Sequence, residues 1–185
     1  MSRVFLKTGQ KAAALAIVLV PLAEAPAEAA EISNFTLNNG LQAVVIEDHR
    51  APVVVQMVWY KIGSADETPG KSGIAHFLEH KMFEQPDGVD AFSKFSEFGA
   101  NANAFTNFNM TGYLFSTTDN FYESLIHLLN YVQTPHFTDE NVEKEKGIIA
   151  QEIKMYEDNA DWQLFFNTLK AMYVSHHNNI DIAGT

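Results

Sequence analysis

Gly73-Ile74-Ala75-His76-Phe77-Leu78-Glu79-His80-Lys81-Met82-Phe83 is the stretch from which the fold is read. It has helical composition, and the segments before it are strand-like. Phe35-Thr36-Leu37, Asn38-Asn39-Gly40 and then residues 41–46 read as a β-hairpin, because Asn-Gly tolerates φ > 0 at both turn positions. Residues 53–60, rich in β-branched and aromatic side chains, read as a third strand, and 63–73 as a loop. After the quoted stretch, 90–98 is predicted as a helix whose Phe92, Phe95 and Phe98 share a core-facing side, and Gly99 ends it. Residues 101–105 and 110–116 are predicted strands. An apolar helix over 120–132 follows, stopped by Pro135; Thr138 caps a long polar helix over 139–158, and a last helix spans 162–173. The order β-β-β-α-α-β-β-α-α-α predicts an α+β fold, a mostly antiparallel sheet with helices packed on one face.

The chain has 185 residues, with 23 Asp+Glu against 12 Lys+Arg and a net charge of −11. That balance argues against a nucleic-acid partner, which needs a basic footprint, and against adsorption to an anionic membrane. Hydrophobic residues make up 46%, enough for a packed core. There is no cysteine, so a metal would be held by His, Asp or Glu. Arg3, Lys7 and Lys11 precede an apolar run over 12–20 that is too short to span a bilayer, and A-x-A sites follow it. Residues 1–29 are therefore expected to be an export signal cleaved after Ala29, leaving a single domain over 30–185 in the periplasm or outside the cell. A cytoplasmic location follows instead if the signal is not functional. Removing 1–29 takes three bases and two acids, so the net charge moves from −11 to −12.

On a helix, His76 and His80 lie one turn apart on one face, and Glu79 sits beside them. Two imidazoles and a carboxylate suit zinc, which in catalytic sites takes three protein ligands and an open position. A free carboxylate nearby can serve as general base. The same five residues also fit a helix with two chance histidines. A third ligand would come from the long helix, where Glu145 and Glu152 are seven residues apart and return to within about 20° of one another. Ile148 and Ile149 suggest that this face is partly buried, although a salt-bridged surface helix fits the same sequence. His49, His127 and His136 have no partner at ligand spacing, and the His176-His177 pair lies past the last helix; none is given a role.

His-x-x-Glu-His with a glutamate some seventy residues later resembles the inverted zinc-motif peptidases of the pitrilysin, insulin-degrading enzyme and mitochondrial processing peptidase family. The resemblance extends over most of 35–185. It includes Tyr60-Lys61-Ile62-Gly63-Ser64, Ser72-Gly73-Ile74-Ala75 before the motif, Asn101-Ala102-Asn103-Ala104-Phe105-Thr106, and Glu157-Asp158-Asn159. Departures are small: the interval from His80 to Glu152 is a few residues short, and Ala160 replaces a common proline. Residues before about 75 look like exported members, and those from about Lys81 like a cytoplasmic branch, as if joined near the motif.

The resemblance implies that Zn2+ is held by His76, His80 and Glu152, that Glu79 is the general base, and that Glu145 is an acid near the metal that orients or tunes it. Asn103 and Ala104 would lie along a peptide substrate added to the sheet edge. The implied activity is that of a zinc metalloendopeptidase acting on unfolded or small polypeptides, this chain being the N-terminal part of the peptidase domain. The alternative is a non-catalytic binding or assembly subunit of a peptidase heterodimer. Members of the family carry a second domain that closes over the peptide and supplies an Arg/Tyr pair. This chain is expected to lack that part, and so to need a C-terminal domain or partner subunit for full activity.

Overall fold

The computed structural model describes residues 30–86 and 88–184, so the expected export signal lies outside the described residues. The described residues divide after Arg50 into two compact units. The first is a hairpin of β1 (Glu31–Thr36) and β2 (Gln42–Glu47), antiparallel, with Phe35 opposite Ala43. Its turn differs from the two-residue Asn-Gly type. Gly40 N–H donates to the Leu37 carbonyl, and Gly40, at φ +87°, is the turn residue with positive φ. A type I turn followed by a left-handed glycine makes a three-residue loop, which lets Asn39 keep an ordinary backbone and accept from Leu41 N–H at 3.1 Å.

The second unit is built on a sheet ordered β3-β5-β4, from β3 (Val54–Tyr60), β4 (Asn101–Thr106) and β5 (Thr111–Thr117), antiparallel at both interfaces. The strands thus form two antiparallel sheets where one was expected, and the α+β class holds. Val58, Tyr113 and Ala104 stand side by side in register. Their face carries the core, where α2 (Ala91–Glu97) and α3 (Phe121–Tyr131) bring Phe95, Leu128, Tyr131 and the following Val132 against Tyr113 and Phe115. Burying such side chains contributes roughly 1.5–3 kcal/mol each. On the other face Trp59 meets Phe105 edge-on at 5.3 Å, across a glycine, Gly112, where a Cβ would come within 2.7 Å of Phe105.

Two details of the expected core are corrected. Phe95 is buried, but Phe92 is 39% exposed and stacks on Phe83 at 4.2 Å. Steps of three residues drift by about 60° each, so the outer members of an i, i+3, i+6 set leave the buried side. On α4 (Asp139–Glu157), Ile149 is buried beside Glu145, whereas Ile148 is 44% exposed, about 100° round the helix. Helix α4 starts at Thr138, whose Oγ1 accepts from Asn141 N–H while Asn141 Oδ1 accepts from Thr138 N–H. It packs on α1 (Ile74–Lys81) and on α5 (Ala160–Met172). No helix among the described residues is long and apolar enough to cross a membrane.

Candidate metal centre

Helix α1 follows Gly73, which is left-handed at φ +89°. One face of the helix turns His76, Glu79 and His80 towards α4 and β4, into a cleft of about 1060 Å³. His76, Glu79 and, on α4, Glu145 are buried, and His80 and Glu152 are half-buried. The two imidazole rings stand nearly perpendicular, 4.7 Å apart. Glu152 Oε2 lies 3.6 Å from His76 Nε2 and 3.3 Å from His80 Nε2, and one ligand atom from each of the three residues falls within 4.8 Å of the others.

The outer atom of each group is engaged. His80 Nδ1 lies 2.7 Å from Glu145 Oε1. His76 Nδ1 lies 3.4 Å from the Ala183 carbonyl, which can only accept, so Nδ1 carries the hydrogen and Nε2 a lone pair. Tyr156 hydroxyl donates to Glu152 Oε1 at 2.7 Å. Three lone-pair donors therefore face one another, an arrangement that repels itself unless a proton or a metal cation sits among them. Tetrahedral ligands at about 2.0–2.1 Å from zinc lie roughly 3.3–3.4 Å apart; the Glu152–His80 separation of 3.3 Å matches this and the Glu152–His76 separation of 3.6 Å is slightly wider. The donor set fits zinc in chemistry and in spacing.

Glu79 sits beside this cluster with Oε2 accepting from Thr106 Oγ1 at 2.5 Å. Burial pushes its carboxyl above the usual carboxylate range, and the Thr106 hydrogen bond and the two imidazoles pull in the opposite direction. Burial, followed by the bond to Glu152, pushes the Tyr156 phenol up to about 12. Asn103 is exposed and Ala104 half-buried on β4, which is the outer strand of its sheet. There the Ala104 N–H donates to Asn103 Oδ1 at 2.9 Å.

The cleft thus gathers His76, Glu79, His80, Asn103, Ala104, Glu145 and Glu152, with β4 beside the His-Glu cluster. Thr106, Tyr156, Trp162 and Ala183 join it without having been singled out individually. Tyr156 was within reach of sequence reasoning, because it lies four residues after Glu152 on one helix face. A backbone carbonyl such as that of Ala183 leaves no trace in a sequence.

The family model of insulinase, peptidase family M16, matches residues 42–185. The chain belongs to the insulinase family. Among relatives, it is 49% identical over 159 residues to a Bacillus subtilis protein named uncharacterized zinc protease YmfH, covering 80% of this chain and 37% of that protein. It is 35% identical to zinc protease PqqE of Helicobacter pylori, covering 76% of this chain and 33% of that one. A crystallised M16-like peptidase from Alicyclobacillus acidocaldarius superposes with a TM-score of 0.77 at 44% identity, over 84% of this chain and 38% of that chain. The chain therefore spans less than two fifths of the length of these insulinase-family relatives.

Proposed function

We propose that this chain carries the zinc site of a metalloendopeptidase that cleaves unfolded or small polypeptides. The observation that supports it best is the convergence of His76 Nε2, His80 Nε2 and Glu152 Oε2 at zinc-ligand spacing, with the Glu79 carboxylate alongside. His76, His80 and Glu152 would hold the ion. When bound, zinc polarises a carbonyl and lowers the pKa of water towards neutrality. Glu79 takes the proton of the attacking water and passes it to the leaving amine as the C–N bond breaks. Thr106 holds one oxygen of Glu79, leaving Oε1 for that transfer. Glu145 fixes the His80 ring with Nδ1 as donor, so that Nε2 stays free for metal. The peptide would extend along the outer edge of β4 past Asn103 and Ala104, displacing the side chain that now occupies the Ala104 N–H.

The deciding measurement is zinc per chain by elemental analysis. One equivalent in the wild type, lost in Glu152→Gln, is expected; unchanged zinc in that variant removes Glu152 from the ligand set. Because the relatives are more than twice as long, turnover by this chain alone should be weak, the remaining transition-state contacts coming from a further domain or partner subunit. Robust hydrolysis of an unfolded peptide by the purified chain would refute that part. On the same reading residues 1–29 direct export, with cleavage after Ala29. Sequencing the amino terminus of the protein from periplasm and medium checks this, and an uncut chain in the cytoplasm contradicts it.

A further inference from the structure

We propose that Trp162 is a positioning residue for the metal site, holding two of its three ligands through two separate arms. The inference rests on the reading of His76, His80 and Glu152 as zinc ligands. It begins with the junction of α4 and α5. Helix α4 ends at Glu157, and Asn159 caps α5 by accepting from Trp162 N–H at 3.0 Å. The chain turns so tightly there that the Trp162 indole folds back onto α4. It stacks on the Tyr156 ring with centroids 4.2 Å apart and planes 13° from parallel. Phe166, buried one turn further along α5, backs the indole at 5.1 Å.

The first arm is that stack. It fixes the plane of Tyr156, whose hydroxyl donates to Glu152 Oε1 and so turns Oε2 towards the two histidines. The second arm starts at the indole N–H, which donates to Asp181 Oδ2 at 2.8 Å. Asp181 Oδ1 accepts from Ala183 N–H at 2.9 Å, and its carbonyl accepts from Gly184 N–H at 3.1 Å, closing a turn. That turn aims the Ala183 carbonyl at His76 Nδ1. Gly184 also seats it on Gly73 at the start of α1, where a Cβ would come within 2.7 Å of the Gly184 Cα. One arm thus orients a carboxylate and the other selects a histidine tautomer. Outer partners of this kind commonly govern metal affinity by 10–100-fold.

The test is zinc affinity of the full chain, measured by competition with a chromophoric chelator, in wild type, W162F, Y156F, W162L and Y156F/W162L. W162F keeps the stack and loses the N–H, so about a tenfold loss is expected. Y156F loses the hydroxyl alone, with about the same effect. W162L breaks both arms and should lose about 100-fold, with W162F recovering about tenfold of that. Adding Y156F to W162L should cost no more than about twofold, since that arm is already broken. With cobalt(II) in place of zinc, the visible bands should shift in W162F and Y156F while the melting temperature stays put. Affinities of W162F and W162L within twofold of wild type, or a further tenfold loss in the double variant, would overturn the proposal. If W162L does not fold, W162F and Y156F, each lacking one polar group, decide it. A wild type that binds no zinc overturns the metal reading and this inference together. Tight wild-type binding with unaffected variants overturns this inference alone.

Discussion

Glu145→Gln isolates what the buried acid behind His80 does. Its carboxylate lies 2.7 Å from His80 Nδ1 and is only 6% exposed, so the bond is charge-assisted and poorly screened. A glutamine oxygen can still accept from Nδ1–H, and the side chain keeps its size. The change therefore converts a bond worth roughly 1.5–3 kcal/mol into a neutral one worth roughly 0.5–1.5 kcal/mol. The difference, about 1–1.5 kcal/mol, corresponds to about five- to tenfold in dissociation constant. Competition titration with a chelator at neutral pH reads this directly, and repeating it at high salt should leave the ratio unchanged. Glu145→Ala, which leaves Nδ1 without its acceptor, should lose several-fold more. Complete loss of zinc in Glu145→Gln would mean that Glu145 is itself a ligand; unchanged affinity would mean that the contact to His80 does nothing for the metal.

Other variants probe neighbouring claims. Glu79→Gln should retain one zinc per chain while abolishing peptidase activity in any assembly where the wild type is active, and zinc loss would remove Glu79 from the role of base. The same variant tests the raised carboxyl. A folded-state pKa above the unfolded one stabilises at low pH and loses that contribution as pH rises through the folded value. In chelator, Glu79→Gln should therefore melt above wild type at pH 7 and level with it near pH 4; an equal gap at both would contradict burial as the cause. Gly73→Ala must hold a left-handed backbone and meets the Gly184 Cα, so it should cost at least about 1 kcal/mol and weaken zinc binding. An unchanged melting temperature would show that the contact yields freely.

Local pattern carried much of this molecule. Helix α1 was legible because its composition is unbroken between Gly73 and Phe83, and the pairing of His76 with His80 follows from helix geometry alone. The same arithmetic brought Glu145 and Glu152 onto one face of α4. It could not say that this face meets α1, because helix periodicity fixes a direction and not a neighbour; the family resemblance supplied that link. Thr106 shows the limit. Nothing local to β4 says that its hydroxyl meets Glu79, 27 residues earlier, since that depends on how α1 crosses the sheet edge. The turn at Asp181 is more distant still: the Ala183 carbonyl reaches a histidine 107 residues away through a backbone atom common to every residue. Phe92 departs from its spacing for the opposite reason: steps of three residues keep one face only over a limited angle, and Phe92 lies at the outer end of it.

The distance in sequence between Gly73 and Gly184 has a kinetic consequence. Two bare backbones touch there, and the cluster they help to close draws atoms from residues 76, 80, 152 and 183. Bringing such remote segments together costs loop entropy that only the packed core can offset. On the proposed zinc reading, the pocket should be among the last parts to assemble, with the ion acting as a latch on a finished fold rather than as its nucleus. Interactions absent from the transition state slow unfolding and leave folding untouched. Stopped-flow measurements with and without zinc should show that asymmetry, and faster refolding in zinc would place the ion early instead.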